Sequence, residues 1–409
     1  MTFQRFLWAV VFAAILYQPG STAPGAEPGD RADHSAQQLI RGNNEFALEF
    51  YKQLARQDGN IAISPLSVSI ATAMVYAGAA AKTATEIATT AHFELPWEVL
   101  HNGFAALVDD LEARAGKGKA TLLFANGVWL DSQCVPSSQC RMILSKFYRA
   151  SVEKVDFEGD PAGASKRINS FISQQTHGKI PSVVAPEMFT EYTSAVLANS
   201  VYFLARWQDT FSPRRTGKEP FHLSGGGTVS AQMMHRSGFV RYFGDDSLQI
   251  VELPYQRMGL SMLVLLPSPD HNLPDLEAQL TPAVLSGWLE ALANTEVNIA
   301  LPRFQVSRHI NLVPVLQSMG IQRAFDALNA ELPGWCAGSV FVNRAEHDVW
   351  LEVTEGGTEA AASTTVHLTK SIAIAPEISF RADRPFMYLI RDTDRGTILF
   401  MGRVVDPTK

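Results

Sequence analysis

The sequence predicts an α+β fold, on two observations. Segments with helical spacing cluster early while apolar and β-branched runs recur late, and the two do not alternate in the regular rhythm of a parallel βαβ sheet.

The chain opens with Arg5 followed by an apolar run of 12 residues, Phe6 to Tyr17, and the small-residue pattern Ser21-Thr22-Ala23. That run is too short to span a bilayer and reads as a signal peptide, residues 1–23, cleaved after Ala23 or Ala26. A buried N-terminal helix is the plainer alternative, but Gln18-Pro19-Gly20 stops the run. Residues 24–36 are polar and rich in Gly and Pro and are expected to be a flexible segment. From 37 to 409 no repeat or linker divides the chain, so one domain is expected. Asn44 to Ala55 has helical spacing, with Phe46, Ala47, Phe50, Tyr51 and Leu54 on one face. Ser64-Pro65-Leu66-Ser67 opens a second helix that stops at Gly78, because Ser caps well and Pro suits a first turn. Strands are read at Thr121 to Leu130, Ala195 to Phe203, Leu260 to Pro267 and Glu296 to Leu301. Phe386 to Ile390 and Thr397 to Met401 form a hairpin around Asp392-Thr393-Asp394-Arg395-Gly396.

Composition narrows function. With 34 basic and 41 acidic residues the net charge is -7, which disfavours binding to nucleic acid or anionic membrane. No later segment approaches a membrane span. Of three cysteines, Cys134 and Cys140 flank a turn-rich stretch that suits a local disulfide in an oxidising compartment, free thiols being the alternative; Cys336 is left over. No histidine stands at ligand spacing near them, so neither a metal nor another cofactor is expected. Gly-x-Ser-x-Gly and His-Glu-x-x-His are absent, and Gly116-Lys117-Gly118-Lys119 lacks the spacing of a phosphate loop. No catalytic residue is assigned. A hydrolase assembled from distant residues is the enzyme alternative, and His347 reads more plainly as a buried histidine satisfied by hydrogen bonds.

The informative segment is Glu355 to Pro376. From Thr358, side chains alternate as in a half-buried strand, with Thr358, Ala360, Ala362, Thr364, Val366 and Leu368 on one face. Yet the segment begins with the flexible Glu355-Gly356-Gly357 and continues through small residues of poor strand propensity. It is built for two conformations, and no proline before Pro376 prevents its amides from joining a sheet. An Ala-rich linker would not need this alternation.

Glu355-Gly356-Gly357-Thr358-Glu359-Ala360-Ala361-Ala362-Ser363-Thr364 resembles the hinge of an inhibitory serpin, and Phe380 to Phe386 with Ile398 to Val404 is similar to that family's C-terminal signature. Matches in order across nearly all of 37–409 include Asn60, Ala125-Asn126-Gly127-Val128-Trp129, Thr176-His177-Gly178-Lys179-Ile180, Asn199-Ser200-Val201-Tyr202-Phe203, Glu252-Leu253-Pro254-Tyr255 and Leu301-Pro302-Arg303-Phe304. The resemblance implies three β-sheets, about nine helices and an exposed reactive-centre loop, about 355–379. It implies a monomeric suicide inhibitor of serine proteases: the protease cuts the loop, forms an acyl-enzyme, and is trapped when the loop inserts into the central sheet. By the same resemblance Ser67, Asn199 and His347 fall in a shutter beneath the opening sheet, and Trp207, Arg303 and Glu355 lie where the loop enters. An Arg303–Glu355 ion pair is our inference. Inserting Thr358 to Leu368 would add about ten ladder hydrogen bonds at ~1 kcal/mol each.

Two arguments disagree about the scissile bond. Family spacing counted from Gly357 places it at Ser371-Ile372, suited to an elastase-like target. Chemistry favours Lys370-Ser371, since Lys370 is the only basic residue between Gly357 and Arg381 and suits a trypsin-like pocket. A non-inhibitory serpin, a carrier or chaperone, would share the fold but is expected to carry residues that block insertion. The compartment expected is extracellular, or periplasmic in a bacterium. Departures from the family are Asp348 where lysine is usual and Glu331-Leu332-Pro333-Gly334-Trp335-Cys336 in place of a phenylalanine, serine, glycine stretch. Arg114, Lys117 and Lys119 are interspersed with Asp109, Asp110 and Glu112, so no heparin-type activator site is expected.

Overall fold

A computed structural model describes residues 28–118, 120–358 and 378–409 of the chain. The signal-peptide expectation therefore lies outside the described residues. So do Lys119, hinge residues Glu359, Ala360, Ala361 and Ala362, and Lys370, Ser371 and Ile372.

Among the described residues the helices are α1 (Pro28–Leu54), α2 (Pro65–Tyr76), α3 (Ala81–Thr90), α4 (Trp97–Lys117), α5 (Ser138–Tyr148), α6 (Pro161–Gln175), α7 (Leu273–Gln279), α8 (Pro282–Ala291) and α9 (Leu312–Met319). The first strands are β1 (Ile61–Ile63), β2 (Thr121–Asp131), β3 (Ser151–Val155), β4 (Ala195–Arg206), β5 (Gly217–His222), β6 (Thr228–Gly244), β7 (Leu248–Pro254) and β8 (Leu260–Pro267). They are followed by β9 (Ala293–Pro302), β10 (Phe304–Asn311), β11 (Arg344–Thr354), β12 (Gly357–Thr358), β13 (Ile378–Arg381), β14 (Phe386–Asp392) and β15 (Ile398–Val404).

The periodic segments fold as read, with longer ends. Ser64 caps α2: its Oγ accepts from the Ser67 amide at 3.3 Å and donates to the Leu399 carbonyl at 2.7 Å. Helix α1 starts well before Asn44, so the polar stretch 24–36 is helical from Pro28 onward. The Gln37 amide donating to Asp33 one turn back supports that extension.

A six-stranded sheet runs β10-β11-β12-β4-β2-β3, and a nine-stranded sheet runs β1-β15-β14-β8-β7-β6-β9-β13 with β5 on β6. The third sheet that the resemblance implies is continuous with the larger one. Strand β6 is 17 residues long, pairing β5 from Thr228 to Met233 and β7 through its last residues. The long core buries Phe46, Phe50, Tyr51, Phe203, Tyr255 and Tyr388. A smaller one under α6 joins Trp129, Phe157, Ile168, Val196 and Trp350 against the outer face of the six-stranded sheet.

The expected Cys134–Cys140 disulfide is not formed; all three cysteines are free and buried. Helix α5 begins at Ser138, and its first turn carries Cys140 into the core beside Ile143 and Leu144. The Cys134 thiol instead neighbours that of Cys336.

Candidate functional site

The site lies along one seam of the six-stranded sheet. Strands β4 and β11 run parallel and pair from Val196 with Arg344 to Tyr202 with Trp350. Past that point they part, and β12 sits between them: Thr358 pairs with Val353 on one side and Ala205 on the other. Gly357 enters at φ +148°, and a Cβ there would stand 2.1 Å from the Ala205 carbonyl oxygen, so only glycine fits. Thr358 is wholly buried, and its hydroxyl meets the Tyr255 hydroxyl at 2.7 Å.

Trp207 roofs this entry. Its ring stacks on Tyr255 at 4.6 Å between centroids, and its indole Nε1 donates to the Thr354 carbonyl at 3.0 Å. Its amide donates to the Gly356 carbonyl, and the Phe211 amide to that of Glu355. The inferred Arg303–Glu355 pair is present: Arg303 Nε donates to both carboxylate oxygens at 2.8 Å, and the Thr216 hydroxyl adds a bond of 2.6 Å. Burial would raise the Glu355 pKa, but the bonds from Arg303 and Thr216 outweigh it and hold the carboxyl below its ordinary value.

Lower on the seam, Asn199 and His347 are ladder partners, and Asn126 faces Asn199 from β2. Asn199 Oδ1 accepts from the Ser67 hydroxyl at 2.7 Å and from His347 Nδ1 at 2.8 Å, while its Nδ2 donates to Asn126 Oδ1 at 2.8 Å. His347 Nε2 accepts from the Ser64 amide at 3.2 Å, which assigns the ring proton to Nδ1. Asn126 completes the row by donating to the Tyr148 carbonyl. Complete burial pushes the His347 pKa down to about 3, so the ring is neutral.

Ser67, Asn199 and His347 thus form one cluster and Trp207, Arg303 and Glu355 another, both on the same seam. Sequence reasoning had no place for Ser64, Asn126, Thr216 and Tyr255 as members. A signal existed for Asn126, a lone amide inside the apolar run from Leu122 to Leu130. Asp348, the departure from the family pattern, is answered by His309, its ladder partner on β10. His309 Nδ1 lies 2.9 Å from Asp348 and Nε2 lies 3.3 Å from Glu346, and these bonds raise the imidazole to about 10. Arg344 pairs with Glu346 at 2.6 Å, so the local charges balance.

On α4 Arg114 is committed to Asp110 and Asp392, while Arg149 beyond α5 pairs with Asp109 and Glu112. No helix among the described residues is long and apolar enough to cross a membrane.

A family model described as serpin (serine protease inhibitor) matches residues 41–407. Antithrombin-III of Mus musculus is 34% identical over 381 residues, covering 90% of this chain and 82% of that protein. Leukocyte elastase inhibitor of Homo sapiens is 35% identical, covering 91% of this chain and 100% of that protein. The crystal structure of human thyroxine-binding globulin with its hormone superimposes with a TM-score of 0.83 at 29% identity, covering 92% of this chain and 100% of that one. Both the length of the match and the identity of its relatives establish that this chain belongs to the serpin family.

Proposed function

We propose that the protein is a secreted inhibitor of serine proteases that traps its target as an acyl-enzyme by inserting the cleaved loop between β4 and β11. The observation that carries this reading is β12: the start of the loop is already a strand in that gap, hydrogen-bonded on both sides. After cleavage, residues beyond Thr358 would extend the same ladder downward, and the seam at Asn199 and His347 would have to open. The acyl bond would carry the protease with the loop and distort its active site before water completes hydrolysis. The uncut chain persists because opening the seam breaks a buried polar row first, which makes the native state a kinetic trap. No catalytic group of this chain takes part.

The bait bond proposed is Lys370-Ser371, with a trypsin-like target, and Ser371-Ile372 with an elastase-like target is the alternative. The protein is expected to act as a monomer and without a heparin-type activator, which the paired state of Arg114 and Arg149 supports. The likeness to thyroxine-binding globulin favours a second reading, a carrier that does not inhibit. Gly357 and the small buried Thr358 argue for insertion over that reading, since both fit the gap without a bulky or charged group.

The test is incubation of the purified protein with trypsin. A complex that survives boiling in detergent is expected, and the small C-terminal peptide should begin at Ser371. A peptide beginning at Ile372 transfers the bond to the alternative, and cleavage without any complex overturns inhibition.

A further inference from the structure

The seam has a second end, and a pair of neighbouring thiols lies on the segments that follow β2 and precede β11 there. Strand β2 runs antiparallel to β4, so Leu130 faces Ala195 at the end opposite the hinge. Cys134 follows that end of β2 in a turn closed by its amide on the Asp131 carbonyl. Cys336 lies eight residues before β11, the strand on the other side of the gap that the loop would fill. Its segment is anchored: the Ser137 amide donates to the Gly334 carbonyl at 2.9 Å, Gly334 donates to Gly78, and the Trp335 indole donates to the Met74 carbonyl. Both cysteines sit in the main core, 6% and 8% exposed. Burial first, and the adjacent Cys336 thiol second, push the Cys134 thiol up to about 12.

We propose that Cys134 and Cys336 are a disulfide-forming pair, and that the bond ties the two halves of the six-stranded sheet together at the far end of the seam and slows its opening. The functional half of this proposal rests on the insertion reading above. The oxidant is a small disulfide such as oxidised glutathione. One cysteine thiolate attacks a glutathione sulfur, releasing one glutathione and forming a mixed disulfide; the other cysteine then displaces the second glutathione. Each cysteine gives up a proton and an electron, and one small disulfide becomes two thiols. Burial keeps the thiolate fraction low at neutral pH, so oxidation should accelerate as pH rises.

The experiment treats the full chain with oxidised glutathione at alkaline pH, beside a reduced sample and Cys336→Ser. Peptide mapping without reduction should find Cys134 joined to Cys336, with Cys140 free. Three free thiols, or a Cys134–Cys140 peptide, overturns the proposal. The oxidised protein should unfold at a higher temperature than the reduced one, since the bond closes a long loop. It should form the trypsin complex slower by about tenfold, with Cys336→Ser insensitive to the treatment. A bond that forms but changes neither the unfolding temperature nor the rate overturns the tether. If neither form yields a complex, the insertion reading fails, while the peptide map and unfolding temperature still decide the pair.

Discussion

Removing the Asn199 side chain strands three partners at once: the Ser67 hydroxyl, His347 Nδ1 and Asn126 Oδ1, all inside the protein. A buried polar group left without a partner costs ~1–3 kcal/mol, so Asn199→Ala should lower the denaturant midpoint by far more than a surface change and hasten loss of the uncut state. An unchanged midpoint in urea would show that the row does not hold the seam. His347 adds a pH dependence whose direction can be worked out. Its folded pKa, about 3, lies below the ordinary histidine value of 6.5, so the unfolded chain takes a proton that the folded chain refuses. Stability from this group is complete above pH 6.5 and falls as pH drops toward 3. Thermal midpoints from pH 7 to pH 4 should decline in the wild type. Had the midpoint stayed level across that range, a neutral buried ring at this position would be the wrong assignment.

Between elements, the pairing of β10 with β11 carries the opposite sign. His309 has a folded value near 10, above 6.5, because Asp348 and Glu346 hold its proton. This stabilisation is complete below pH 6.5 and is lost as pH rises toward and through 10. The gap in thermal midpoint between wild type and His309→Gln should therefore close between pH 7 and pH 10.5; a gap that stays constant would assign the effect to packing. At the other end of the sheet, Gly357→Ala forces a Cβ onto the Ala205 carbonyl in a conformation that L residues avoid. It should unseat β12, read as faster amide exchange at Thr358, whereas protection equal to the wild type would mean that the entry tolerates a side chain. Thr358→Arg places a charge against Tyr255 on the face that must be buried and, on the insertion reading, should leave the protein a protease substrate that forms no stable complex. Complex formation at the wild-type rate would sink the insertion mechanism.

For the molecule as a whole, on the insertion reading, cleavage in the loop should raise thermal stability, because the chain beyond Thr358 would become an internal strand between β4 and β11. About ten new ladder hydrogen bonds at ~1 kcal/mol each rival the whole stability of an ordinary domain. Equal melting temperatures for cut and uncut protein would point to the carrier reading. The same comparison tests the kinetic trap, since a native state already at its minimum would gain nothing when cut.

Much of this was legible in one dimension. The Ser64 cap, the strands read at 121–130, 195–203 and 260–267, the closing hairpin and the glycine-led hinge all follow from preferences that act within a few residues of each other. The family resemblance placed Ser67, Asn199 and His347 in one group and Trp207, Arg303 and Glu355 in another. What only the tertiary structure decided is which buried polar atom meets which. His347 finds Asn199 across 148 positions of sequence and Ser64 across 283, through strand register and the placement of a helix cap. Asp348 is balanced by His309 because β10 and β11 align those two residues. Nearness in sequence suggested Cys140 as the partner of Cys134, yet a helix beginning at Ser138 turned it away and the packing of the 331–336 loop supplied Cys336. Local backbone preference determines where elements start and stop; partners more than a hundred residues apart are chosen by register and by the cost of leaving a buried polar group unmatched.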